Sequence, residues 1–162
     1  MIKEPYKACI ELWREVFGDS EQFISQFMQH HYNESNMLYI EKDGKFLSML
    51  HLLIFKHNSY KVGYIYAVAT SPKARNKGYA TQLIHQAIEM AEKQGLSAIY
   101  LIPAKESLYK YYERFGFQGS RKIEFHTNDG FDFGTGEKDS DYASLLLLSP
   151  HYMITENILL EK

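Results

Sequence analysis

Tyr-Ile-Tyr-Ala-Val-Ala-Thr-Ser-Pro-Lys-Ala-Arg-Asn-Lys-Gly-Tyr-Ala, residues 64–80, decides the fold. The first seven residues alternate apolar and β-favouring side chains, so they read as a strand ending at Thr70. A short basic loop follows and turns at Gly78. An amphipathic helix then begins at once. Backbone N–H groups at such a helix start have no intrahelical partner, and the helix dipole adds about half a positive charge there. A strand, a basic loop and a helix start in this order make a cradle for a phosphate group. Arg75 and Lys77 add full charges to it.

The residues around this loop extend the pattern. Ala80, Leu83, Ile84, Ala87, Ile88 and Ala91 recur on one helical face, and Gly95 stops the helix. Glu89 and Lys93 stand one turn apart on the opposite face. Ser97–Ile102 is the next apolar strand, broken by Pro103. Strand 64–70, helix 80–94 and strand 97–102 therefore form a βαβ unit. A short helix over 107–115 ends at Gly116, in the run Leu-Tyr-Lys-Tyr-Tyr-Glu-Arg-Phe-Gly-Phe at 108–117.

Neither the P-loop nor the dinucleotide fingerprint is present. The loop instead spells Arg75-Asn76-Lys77-Gly78-Tyr79-Ala80, or Arg-x-x-Gly-x-Ala, which resembles the acyl-coenzyme A diphosphate loop of GNAT N-acetyltransferases. Tyr-Glu-Arg-Phe-Gly-Phe at 112–117 resembles the second hallmark of that superfamily. Over Leu12 to about Phe125 the likeness is nearest to the N-terminal acetyltransferase domain of enhanced-intracellular-survival-like enzymes, which continue into a second domain. The resemblance implies a mixed α/β fold, an antiparallel meander followed by the βαβ unit, with a central sheet that splays where the cofactor enters.

It also implies site residues. Val68, Ala69 and Thr70 would supply backbone hydrogen bonds to the pantetheine arm and an oxyanion donor. Arg75, Asn76, Lys77, Gly78, Tyr79, Ala80 and Thr81 would hold the diphosphate, and Tyr112 would face the sulfur as the catalytic hydrogen-bond donor. The co-substrate implied is acetyl-CoA, with a primary amine as acceptor and no metal. Two departures stand out: Asn76 where many relatives carry glycine, and Pro103-Ala104-Lys105 where many carry an asparagine. Asparagine tolerates positive φ, so the turn survives.

The remaining chain sets the frame. With 162 residues, 45% apolar and 23% charged, the composition is that of one globular domain. A net charge of −2 disfavours wholesale binding to nucleic acid or anionic membrane, and no apolar run spans a bilayer. The single Cys9 excludes an internal disulfide and fits a reducing compartment, so the expected location is the cytoplasm. Cys9 beside Ile10 on the first helix reads as a packed thiol.

Tyr6–Phe17 is a helix closed by Gly18, and Asp19 with Gln22 suggests the cap of a second helix carrying Phe23, Ile24, Phe27, Met28 and His31. Met37–Glu41, Lys45–Phe55 and Tyr60–Thr70 form the meander, and Phe117–Thr127 is a later strand. Adjacent His30 and His31 diverge on their helix and make a poor metal pair. Tyr64 and Tyr66 share a strand face that would suit an acceptor cleft. Residues 128–140 read as an acidic loop.

No carboxylate stands in 60–70 to act as general base; His51, Glu124 and His126 are candidates, each more simply read as structural, and a water chain or a carboxylate supplied elsewhere would serve equally well. The apolar run Leu145–Leu148 and the strand or strap at Met153–Leu160 suggest a partner surface, a homodimer included. The chain is read as a single domain, 1–162, with a fragment of a two-domain protein as the other option. An idle acyl-CoA sensor and an interaction domain are the alternatives to an enzyme.

Overall fold

The computed structural model describes residues 4–131, 133, 142–155 and 158–162. The elements in chain order are α1 (Pro5–Phe17), α2 (Glu21–His30), β1 (Met37–Lys42), β2 (Lys45–His57), β3 (Tyr60–Thr70), α3 (Tyr79–Lys93), β4 (Ala98–Leu101), α4 (Leu108–Glu113), β5 (Gln118–His126), β6 (Tyr142–Leu147) and β7 (Ile158–Glu161). The strands form one mixed sheet in the order β1-β2-β3-β4-β6-β5-β7. The chain divides into two compact units, Met1–Leu53 with Tyr66–Ala87, and Ile54–Ile65 with Ile88–Lys162. Among the described residues no helix is long and apolar enough to cross a membrane.

In the first unit the antiparallel β1–β2 hairpin carries α1 and α2 on an aromatic core. The Trp13 ring lies 4.8 Å from Phe27 and 5.8 Å from Tyr66, centroid to centroid. Its buried indole N–H needs a partner and donates to Asp19 Oδ2 at 2.9 Å. That contact corrects the expected cap. Ser20, not Asp19, caps α2, its hydroxyl accepting from the Phe23 N–H at 3.1 Å. Of the face expected on α3, Leu83, Ile84 and Ala87 are wholly buried here.

In the second unit, β3 and β4 are parallel, Val62↔Ala98 to Ile65↔Leu101, as the βαβ reading requires. β6 lies between β4 and β5, antiparallel to both. β7 runs parallel to β5 and also meets β2 at Lys56↔Glu161, so this unit's strands close from β7 back to β2 and its end strand is covered. Of the apolar run Leu145–Leu148, Leu145 is buried within the sheet, Leu146 and Leu148 are half-buried and Leu147 is exposed. Inside, Phe55, Tyr64, Phe125 and Phe133 pack ring on ring, with Tyr64 and Phe125 4.8 Å apart. Tyr64 is thus core and does not line a cleft. Of the expected 128–140 loop, residues 132 and 134–140 lie outside the described residues.

Candidate functional site: an open basic loop and a buried tyrosine

Pairing between β3 and β4 ends at Ile65↔Leu101, and Tyr66–Thr70 continue without it. Directly past that point Ala67 has a φ of 54°, a left-handed conformation that costs an alanine about 1 kcal/mol. The strand bends there. Its end is pinned to β2 by Ser48, whose buried hydroxyl donates to the Ala69 carbonyl at 3.1 Å and lies 2.8 Å from the Thr70 hydroxyl. The Ser71 N–H donates to the Leu47 carbonyl at 2.8 Å. These anchors were not legible in the sequence, because cross-strand register is non-local. The polar Ser48 inside the apolar run 46–55 was the available signal.

Pro72–Ala74 then form one tight turn, and Ala74 is buried beneath it. Asn76, at a φ of 64°, and Gly78, at 80°, carry the chain into α3. The asparagine adopts the positive φ expected of it. A Cβ placed on Gly78 would meet no atom of the described residues within 4 Å beyond its two chain neighbours, so the space over this glycine is open among them. Arg75 braces the loop, its Nε donating to the Thr70 carbonyl at 3.3 Å. Among the described residues no backbone carbonyl takes the N–H groups of Asn76, Lys77, Gly78, Tyr79 or Ala80. Lys73, Arg75 and Lys77 are exposed around them. Five N–H donors without a backbone partner, a helix start and three cations stand together here, a grouping of the kind that can hold an anion.

Tyr112 belongs to the other unit. It stands on α4, buried, with its ring edge-on to Tyr111 and to Phe117. Two devices seat that helix. The Tyr109 hydroxyl donates to the Tyr142 carbonyl at 2.6 Å. Gly116, at a φ of 100°, lets the chain turn where a Cβ would come within 3.0 Å of Leu146 Cδ1. The Tyr112 carbonyl takes the N–H groups of Phe115 and Phe117, closing the helix as its sequence requires. Burial pushes the Tyr112 phenol up to about 12, with a smaller contribution from Tyr111. It remains protonated at neutral pH.

The candidate bases separate cleanly. His51 is enclosed by Trp13, Phe27 and Tyr32, and its Nε2 lies 3.5 Å from Cys9 Sγ. Burial holds its imidazole down at about 3. It is a neutral core side chain. Cys9, wholly buried, has its thiol pushed up to about 12 by the same desolvation, which makes it a packing group. Glu124 and His126 are exposed on β5. Tyr66 is half-buried, against Trp13 and Phe27.

Residues 2–119 match the acetyltransferase (GNAT) domain family. The chain belongs to that family. Its fold is accordingly that of an acyltransferase, as the loop and the α4 ending led one to expect. No curated protein matches the chain. A GNAT family N-acetyltransferase from Escherichia coli (YhbS), solved in complex with CoA, is similar with a TM-score of 0.70 at 14% identity, over 99% of this chain and 86% of that one. A probable N-acyltransferase from Enterococcus faecalis is similar with a TM-score of 0.62 at 20% identity. That match covers 74% of this chain but 31% of the other. Eis1 from Mycobacterium abscessus is similar with a TM-score of 0.59 at 10% identity, over 75% of this chain and 30% of that one. The chain thus spans about a third of the length of these last two proteins.

Proposed function

We propose that this domain transfers the acetyl group of acetyl-CoA to a primary amine by direct attack on the thioester carbonyl. The observation that carries the proposal is the set of unclaimed N–H groups from Asn76 to Ala80 beneath the open space at Gly78. They would hold the diphosphate, with Lys77 and the outer nitrogens of Arg75 adding charge, and Thr81 in the first turn of α3. Backbone N–H groups of Val68, Ala69 and Thr70 would line the pantetheine arm and stabilise the oxyanion. The CoA complex of YhbS supports the choice of cofactor.

Tyr112 would donate a hydrogen bond to the departing sulfur. A phenol at about 12 lies roughly 3.5 units above a thiol near 8.5, so complete proton transfer would be uphill by about 5 kcal/mol. Hydrogen bonding is therefore its role, and the thiolate takes its proton from solvent. The acceptor must arrive neutral, while an amine's pKa lies between about 8 and 10.4. His51 is locked in the core, so the amine would lose its proton to a water chain or to a carboxylate supplied elsewhere.

The likeness to the N-terminal domain of enhanced-intracellular-survival-like enzymes is a finer reading, supported by partial coverage of Eis1. Steady-state thiol release from acetyl-CoA against a panel of peptides, polyamines and aminoglycosides tests the function. Acceptor-dependent release with a rate rising towards the amine pKa is expected. Tight binding without release for any amine would leave an acyl-CoA sensor instead.

A further inference from the structure

One basic residue near the loop is outside every motif in the sequence. Lys42 ends β1, where the β1–β2 register slips between Ile40 and Glu41, and the Asp43-Gly44 turn follows with both residues at positive φ. This hairpin end carries the Lys42 ammonium over the face of Tyr79, with Nζ 5.8 Å from the ring centroid. That distance is within the range of cation–π attraction. Tyr79 is the first residue of α3 and directly follows Gly78. No carboxylate among the described residues pairs with Lys42, whereas Lys7, Arg14 and Lys93 each have one. Lys45, opposite Lys42 across the same turn, makes no such ring contact.

We infer that Lys42 is a phosphate-binding residue for the cofactor, held in place by the ring of Tyr79. The inference rests on the proposed function, since it presumes that CoA occupies the loop. An exposed lysine ordinarily samples many rotamers, and fixing one costs side-chain entropy. The aromatic face lowers that cost by holding the ammonium over the first residue of α3 before the ligand arrives. Its charge adds to those of the exposed Lys73, Arg75 and Lys77 from a different strand of the chain. The ligand chemistry is a phosphate, which CoA offers twice: the diphosphate and the ribose 3′-phosphate.

Calorimetric titration with CoA and with 3′-dephospho-CoA tests this. Lys42→Met is expected to weaken CoA binding about fivefold at low salt, by an amount that shrinks as salt is added. Lys42→Arg should bind like the parent and Tyr79→Leu should weaken binding in the same direction, while Lys45→Met should not. A Lys42→Met loss seen with both ligands assigns the diphosphate, and a loss seen with CoA alone assigns the 3′-phosphate. Binding unchanged in Lys42→Met, or a loss matched by Lys45→Met, overturns the inference while the loop reading stands. A parent protein that binds neither ligand would instead defeat the proposed function itself.

Discussion

From Tyr60 to Ile65, β3 has β4 in parallel register beside it, and Val62 and Tyr64 are sealed into an aromatic interior. From Tyr66 to Thr70 the same strand runs past its partner, bends at Ala67 and delivers the chain to a loop where, among the described residues, no backbone carbonyl takes the N–H groups of Asn76 to Ala80. The first half spends its hydrogen-bonding groups on the protein. Beyond the second half lie N–H donors without a backbone partner. His57 in the second unit shows the same use of polar groups: its Nδ1 meets the Tyr152 hydroxyl at 2.5 Å and its Nε2 lies 3.1 Å from Thr155 Oγ1. Unmet donors are costly when buried and useful when open to a ligand. Stability and binding should therefore be separable by mutation in this chain.

The largest effect tests the packed side of the comparison. His51 is neutral in the fold with its pKa held at about 3, against about 6.5 unfolded. Between those values the unfolded chain binds the extra proton, so stability is full above about 6.5 and falls as pH drops towards 3. The loss at the foot of that window is roughly 5 kcal/mol. Thermal melts from pH 7 to pH 4 should show it, and His51→Leu should flatten the slope; an equal slope in the variant would remove the assignment.

Next comes the open side. Gly78→Val forces a β-branched residue to a φ of 80° and fills the space over the loop. CoA affinity should fall about a hundredfold or more, roughly 2.8 kcal/mol, while the melting temperature drops only by what the strained backbone costs, on the order of 1–3 kcal/mol. If melting falls and affinity holds, the glycine is structural. Tyr112→Phe should lower kcat about tenfold, near 1.4 kcal/mol, and leave CoA binding intact. Unchanged turnover would remove the donor role.

The smallest effect falls at the junction. Ala67→Gly relieves a left-handed alanine and should stabilise the fold by at most about 1 kcal/mol, offset by the glycine's greater unfolded freedom. Denaturant melts would register it. Clear destabilisation would mean that the bend is held by the methyl group's packing.

Local pattern made much of this legible in the sequence. The apolar face of α3, the Glu89–Lys93 pair (3.2 Å), the three meander strands and the Asn76–Gly78 turn all follow from spacing and turn chemistry, which act over a few residues. What was not legible depends on distant partners. Asp19 and Ser20 are both good caps, and only the position of the Trp13 indole N–H decides between them. Leu145–Leu148 is apolar whether it faces a partner protein or sits between β4 and β5. Alanine gives no hint of positive φ, so the bend at Ala67 could not be read from its residue type. Lys42 belongs to no motif at all.

The central claim is that the amides entering α3 receive the diphosphate of CoA. The most direct measurement is a crystal structure of the protein with CoA bound. Diphosphate oxygens within hydrogen-bond distance of the N–H groups between Asn76 and Ala80 are the predicted result. CoA bound elsewhere, with this turn empty or its N–H groups turned onto the protein's own carbonyls, would contradict it.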